Sequence, residues 1–294
     1  MSVAAQPIRL MRNLLIILEM IKFEHTIFAL PFAFLGAFIA ARGFPGWATS
    51  FWIIVAMFGA RSAAMAFNRL TDRHFDALNP RTRERALPKG ILRPSGVLLF
   101  VVASSLFFLF ASSMLNPLAL ALSPLALLIV FFYSYTKRFT SLSHLVLGLA
   151  LGIAPVGGWV AVTGTLDLPP FLLTAAVLFW VAGFDIIYAC QDTDFDRKHG
   201  LFSIPAMLGI RSALRVSILF HFLMLVLLAI ALVLFSLSFL SWLGLVLVAI
   251  ALLYEHRLVS HDDLSRVNAA FFTMNGVISV TLSLFVGLDL CLFA

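Results

Sequence analysis

Charge is scarce in this sequence: of its 294 residues only 12% are Asp, Glu, Lys or Arg. A soluble domain carries about 25%, so a chain turned mainly toward water is excluded. Cysteine is nearly absent. Cys190 and Cys291 stand isolated in apolar surroundings, which argues against a disulfide or a thiolate metal site and reads as two small buried hydrophobes. Histidine spacing supplies no metal motif, and His256 and His261 beside Asp262 and Asp263 read as a solvated loop rather than a zinc site. Acids are outnumbered, 14 against 20 Lys and Arg, for a net charge of +6. No separate basic domain accompanies that excess, so it reads as cytoplasmic anchoring charge and not as a nucleic-acid footprint.

What is abundant is apolar sequence, 62% hydrophobic residues with a mean hydropathy of +1.05. A membrane crossing needs about 20 mainly apolar residues. The runs 14–41, 48–68, 95–115, 118–136, 142–162, 170–190, 213–235, 238–256 and 270–292 meet that requirement. The expectation is therefore an all-α, polytopic bundle of about nine transmembrane helices in a single domain over residues 1–294. The first run contains Lys22, Glu24 and His25, so it reads as a membrane helix and not as a cleaved signal. Lys22 either snorkels to the interface or faces a polar cavity.

Positive charge collects on one side of these runs. Arg9 and Arg12 precede the first; Arg69, Arg73, Arg81, Arg85, Lys137, Arg138, Arg197, Lys198, Arg257 and others follow even-numbered ones, whereas the opposite connections hold only Arg42. The positive-inside rule then puts the N-terminus and the loops of about 69–94 and 191–212 in the cytoplasm. Each long loop follows an even-numbered span and opens with acids, suggesting two four-helix halves plus a last helix.

Residues four apart share a helix face. Asn68, Asp72 and Asp76 therefore form one oxygen-bearing ridge, with Arg61 nearly aligned, and Asp185, Tyr188, Asp192 and Asp196 form a second. Two facing carboxylate ridges suit Mg2+, which takes one or two carboxylates, waters and substrate phosphate oxygens. Asp194 and the region of Glu84 read as ordinary loop solvation. Asp185 lies inside a span, where an ionisable group is costly and usually functional. The segment Tyr133–Thr140 carries Lys137 and Arg138; alone it is either an interfacial anchor or a pair of cations for diphosphate.

In these residues the chain resembles the UbiA family of intramembrane aromatic prenyltransferases. The stretch Asn68-Arg-Leu-Thr-Asp72-Arg-His-Phe-Asp76 is similar to that family's N-x-x-x-D-x-x-x-D motif, and residues 79–90 to the basic segment after it. The elements Tyr133…Lys137-Arg138…Thr140 and Asp185…Tyr188…Asp192-x-Asp194-x-Asp196-x-Lys198-x-Gly200, with Ser203 beyond, follow in the family's order and spacing. The resemblance implies a nine-helix bundle around a central cavity open laterally to lipid. It implies Mg2+–diphosphate binding by Asn68, Asp72, Asp192 and Asp196 with Asp76 in support, and diphosphate contacts from Lys137 and Arg61. Arg138 and Asp185 would position the acceptor, and Tyr133, Tyr188 and Lys198 would join the substrate-binding set, with Asp72, Asp192 and Asp185 carrying catalysis.

The implied reaction is transfer of a polyprenyl group from polyprenyl diphosphate to 4-hydroxybenzoate in respiratory quinone synthesis, in a bacterial plasma membrane, with no obligate protein partner. A dihydroxynaphthoate acceptor, as in menaquinone synthesis, is the alternative within the enzyme class; haem and chlorophyll relatives would need room for a macrocycle. A secondary transporter is the alternative outside it, but would not require two acidic ridges beside diphosphate-suited cations.

Overall fold

A computed structural model describes residues 14–21 and 30–293. Lys22, Glu24 and His25 lie outside the described residues, so the two readings of Lys22 stay undivided. Residues 14–20 are helical. The long elements that follow are α1 (Leu30–Ala41), α2 (Trp47–Leu78), α3 (Pro94–Leu115), α4 (Pro117–Thr136), α5 (Ser143–Thr163) and α6 (Pro170–Ala189). After two short helices, α7 (Thr193–Lys198) and α8 (Ile204–Leu208), come α9 (Ile210–Leu234), α10 (Phe239–Leu258) and α11 (Asn275–Phe293).

Eight helices among the described residues are long and apolar enough to cross a membrane. They match the last eight expected runs within a few residues, except that Trp47–Leu78 and Pro170–Lys198 continue well past the expected ends. Of the first run, α1 accounts for only 12 residues, about 18 Å of helix rise.

Helices are the form this composition demands, because hydrocarbon offers no partner for backbone N–H and C=O groups. Proline marks the starts: Pro94, Pro117 and Pro170 occupy the first helical turn of α3, α4 and α6, where a missing N–H costs nothing. The Asn116 side chain caps α4 by accepting from Ala119 N at 2.8 Å, while its Nδ2 donates to Val160 O of α5 at 2.7 Å. Gly164 ends α5 in the left-handed region at φ 67°.

Small residues set the closest crossing. A Cβ on Gly36 would fall 1.9 Å from Pro155 O, and one on Gly158 would fall 1.9 Å from Ala33 O, so α1 and α5 meet backbone to backbone. The first helix thus packs on the fifth and also on the last. That packing ties the first expected half to the second and to the last helix. The largest buried cluster joins Phe32 and Leu35 of α1, Trp180 and Phe184 of α6, Met224 and Leu228 of α9, and Ile278 and Leu282 of α11. The outer faces are also apolar, with Leu99, Leu128, Phe222, Val233 and Leu253 among the exposed residues.

Two expectations require correction here. Cys190 is buried, but Cys291 is exposed, because it falls on the outward face of α11. His256 is not in a loop: it sits in α10 with its Nε2 2.9 Å from Nδ1 of His221, a buried residue of α9. His261 does lie in the exposed connection, beside Asp262.

Candidate active site

Among the described residues a cavity of about 1070 Å³ runs through the bundle. Its polar end is walled by Asn68, Asp72, Asp76, Asp192 and Asp196; its apolar end reaches Leu115, Ala119 and Leu166. Along α4 the wall extends from Ala119 to Lys137, about 27 Å at the rise of an α-helix.

The first ridge stands on an uninterrupted helix. At 32 residues, α2 outlasts a typical crossing and carries Asn68, Asp72 and Asp76 near its C-terminal end without a break. Asn68 Nδ2 donates to Asp72 Oδ2 at 3.2 Å, and Lys137 Nζ lies 3.1 Å from the same oxygen. Arg138 Nη2 donates to Asp72 Oδ1 at 3.3 Å and to Thr71 O at 2.9 Å. Arg85 Nη1 donates to Asp76 Oδ1 at 2.7 Å, while Asp76 Oδ2 is buried with no hydrogen-bond partner among the described residues.

The second ridge is broken. α6 ends at Ala189, a 3₁₀ turn covers Cys190–Asp192, and α7 begins at Thr193. Asp185, Tyr188, Asp192 and Asp196 nevertheless all line the cavity, so the expected common face is achieved across the break rather than by one helix. Asp192 accepts from Asn79 Nδ2 and from Arg81 Nε at Oδ1, both at 3.0 Å, and from Arg81 Nη2 at Oδ2. Arg81 Nη1 also donates to Tyr188 Oη at 2.7 Å, and the guanidinium lies 5.0 Å from the Tyr188 ring centroid. Burial works against the Arg81 charge, but hydrogen bonding and attraction to Asp192 and Tyr188 outweigh it and raise its pKa above the ordinary arginine range. Asp196 Oδ2 accepts from Ser203 Oγ at 2.8 Å.

Deeper in the bundle, Asp185 Oδ2 lies 2.7 Å from His144 Nδ1. Tyr133 lines the same space, as do Phe271, Phe272 and Asn275 at the π-helical turn Ala269–Met274 that leads into α11. Arg61 faces the cavity too, and its Nε has no hydrogen-bond partner among the described residues.

Two placements differ from expectation. Lys198 is exposed and off the cavity wall, because α7 turns that side outward. Arg138 is also off the wall; it braces Asp72 from behind, stacked 5.1 Å from the Tyr135 ring and 5.5 Å from that of Phe75. Asn79, Arg81, Arg85 and His144 enter the site although spacing did not single them out. For the first three the signal was present in the basic run after the acidic motif; His144 had no signal, because its partner is 41 residues away. Asp194 is exposed and off the cavity wall, as loop solvation requires; Glu84 is exposed and paired with Lys89 but also borders the cavity.

Among the described residues no three His, Cys, Asp or Glu side chains are gathered as a metal cluster; basic groups separate the carboxylates. The donor set still fits a hard divalent cation. Its oxygens face one cavity, and Asp76 Oδ2 is buried with a lone pair unused.

An all-helical membrane bundle with a cavity that is acidic and basic at one end and apolar at the other defines a class, the enzymes that act on amphiphilic substrates within the bilayer. The chain belongs to the UbiA prenyltransferase family, whose model matches residues 29–277. It is 33% identical over 238 residues to the 4-hydroxybenzoate octaprenyltransferase of Aeromonas salmonicida, covering 81% of this chain and 82% of that one. A shorter match to the enzyme of that name from Vibrio parahaemolyticus, 34% identical, spans 62% of this chain and 64% of that protein. The solved apo structure of a UbiA homolog from Aeropyrum pernix is 36% identical and superposes with a TM-score of 0.83, covering 90% of this chain and 98% of that one. A UbiA homolog from Archaeoglobus fulgidus, solved with GPP and Mg2+, shares the fold at a TM-score of 0.75 and 20% identity, over 94% and 99% of the two chains.

Proposed function

We propose that this protein transfers a polyprenyl group from polyprenyl diphosphate to a ring carbon of 4-hydroxybenzoate, with Mg2+ bound, in respiratory quinone synthesis. The observation that carries the reading is the polarity of one cavity. Hard oxygens and cations sit together at one end, and from Lys137 the wall runs about 27 Å to Ala119, mostly apolar past Tyr133. A diphosphate head and a long hydrocarbon tail fit those two ends.

Asn68, Asp72, Asp76, Asp192 and Asp196 would hold the metal. The chemistry that bound Mg2+ supplies is neutralisation of diphosphate charge as the allylic C–O bond breaks. Lys137 and Arg61 bind diphosphate oxygens, and the negative charge left on diphosphate as it departs with the bonding pair strengthens those contacts. Arg81 and Arg85, held on Asp192 and Asp76, lie close enough to join them. Asp185 orients the acceptor hydroxyl, so the electron-rich ring carbon attacks the allylic carbon; a C–C bond forms and that ring carbon then loses its proton to the released diphosphate. Tyr133, Phe271 and Phe272 close the space around the reacting carbon, keeping out water that would capture it as a free prenol.

The named activity of the relatives supports the acceptor, as does the Archaeoglobus structure with GPP and Mg2+ for the donor and metal. The charge asymmetry of the loops supports a polar end at the cytoplasmic face of a bacterial plasma membrane. The test is an assay of purified protein in lipid with polyprenyl diphosphate, Mg2+ and equal 4-hydroxybenzoate and dihydroxynaphthoate. Prenylated 4-hydroxybenzoate is expected to dominate, with loss on chelation by EDTA. Dominant prenylated naphthoate overturns the acceptor, and no Mg2+-dependent diphosphate release overturns the reaction.

A further inference from the structure

His144 is 3% exposed, lies at the start of α5 and has both ring nitrogens committed. Ile204 N–H donates to Nε2 at 3.2 Å. A backbone N–H can only donate, so the ring proton resides on Nδ1 and points at Asp185 Oδ2, 2.7 Å away. No ring nitrogen is left to touch a substrate, and whatever His144 contributes passes through its two partners.

Those partners belong to opposite ends of the site. Asp185 faces the region assigned to the acceptor. Ile204 belongs to a turn attached to the phosphate end at several points. Phe202 N donates to Lys137 O at 2.7 Å, Leu201 N to Asp196 O at 2.9 Å, and Ser203 Oγ to Asp196 Oδ2 at 2.8 Å. Ser203 Oγ also caps α8 by accepting from Ala206 N at 3.3 Å. The turn therefore grips the backbone of a phosphate-binding lysine and the side chain of a metal-binding aspartate, and its fourth attachment is the imidazole.

We infer that His144 is a positioning residue that joins the acceptor end of the cavity to its metal–diphosphate end, holding Asp185 with one nitrogen and the Asp196-bearing turn with the other. The inference rests on the proposed prenyl transfer. An unbraced Asp185 rotates about its side-chain bonds, and an unbraced 201–204 turn lets Asp196 drift. Either displacement costs turnover without removing a reacting group. Because the bonds leave from different ring atoms, they are separable. In H144N the amide nitrogen takes the place of Nδ1 and keeps the bond to Asp185, but it is too short to reach Ile204 N. In H144Q the amide oxygen reaches toward the place of Nε2 and can accept from Ile204 N, while the link to Asp185 is lost.

The experiment measures steady-state kinetics of wild type, H144N, H144Q, S203A and H144N/S203A in lipid, varying polyprenyl diphosphate and the aromatic acid separately. H144N is expected to raise KM for polyprenyl diphosphate about tenfold, the loss of one well-placed hydrogen bond, and to leave the acceptor KM within about twofold. H144Q is expected to do the reverse. S203A should reproduce H144N, and the double variant should fall short of the product of the two single effects, since both act through one turn. A helix-packing role alone would move thermal stability in all variants and split neither KM. Equal losses in H144N and H144Q, or multiplicative effects in the double variant, overturn the inference while the reaction stands. Absence of Mg2+-dependent turnover by the wild type overturns the reaction and the inference together.

Discussion

The two acidic ridges carry the same residue types at the same membrane face, yet they are built differently. Asn68, Asp72 and Asp76 stand on α2, a continuous helix, and Asp72 is braced by Asn68, Lys137 and Arg138. Asp192 follows a broken helix, and its partners Asn79 and Arg81 come from the loop after the first ridge. The first ridge is held mainly by the helical core, the second by a loop that the first ridge launches. Order therefore runs from one to the other, and the second ridge should be the more easily disturbed.

The largest effects test what the ridges share. D72A and D192A should each lower Mg2+-dependent turnover about 1000-fold or more, as loss of charge stabilisation at a reacting phosphate does, with the protein still inserted and monodisperse. A D192A variant with near-normal turnover would remove the second ridge from the site. D194A, one residue pair along and exposed, should stay within about twofold of wild type.

The next pair tests the difference. R81A removes a two-pronged hold on Asp192 and should lower kcat/KM about 100-fold, near 2.7 kcal/mol of transition-state stabilisation. R138A leaves Asp72 with Asn68 and Lys137, and should cost about tenfold. Limited proteolysis gives the structural counterpart: R81A should expose the loop after α7 to cleavage, and R138A should not. Equal kinetic losses would show that the two ridges are equally braced.

The smallest effect belongs to Glu84. Its hydrogen bond to Lys89, then the Lys89 charge, holds its carboxyl below the usual range. A lowered carboxylate contributes stability above its unfolded pKa and loses it as pH falls through the folded value. Glu84 is fully exposed to solvent, so the pair is screened. E84Q should therefore leave turnover unchanged and shift the melting temperature only slightly at pH 7, and even that small difference should vanish below about pH 4.5, where the wild-type carboxyl is itself protonated. Arg81 stays charged throughout the range in which the enzyme can be assayed, so no activity change between pH 6 and 9 should trace to it.

The crossings and the first ridge were readable in the sequence because both are local. Apolar length marks a span, and i to i+4 spacing survives in a helix as continuous as α2. The second ridge was readable in residue identity but not in backbone, since nothing in Ala189–Thr193 announces a 3₁₀ turn. What escaped was every contact made at long range. Arg81 finds Asp192 across 111 residues and His144 finds Asp185 across 41, and hydrophobic periodicity carries no record of either. Lys198 and Arg138 show the converse: a motif position specifies a residue type, while which side of a short helix faces the cavity depends on how neighbouring elements dock.

The two cysteines offer a chemical ruler. Cys190 is 1% exposed, with its Sγ 3.3 Å from Ile186 O, whereas Cys291 is exposed near the far end of the last helix. The native chain thus exposes one thiol and buries the other, so maleimide stoichiometry in detergent should rise from one to two only on unfolding. Labelling of Cys291 by a bilayer-impermeant reagent applied to sealed cells would report the orientation of the whole bundle, with no residue changed.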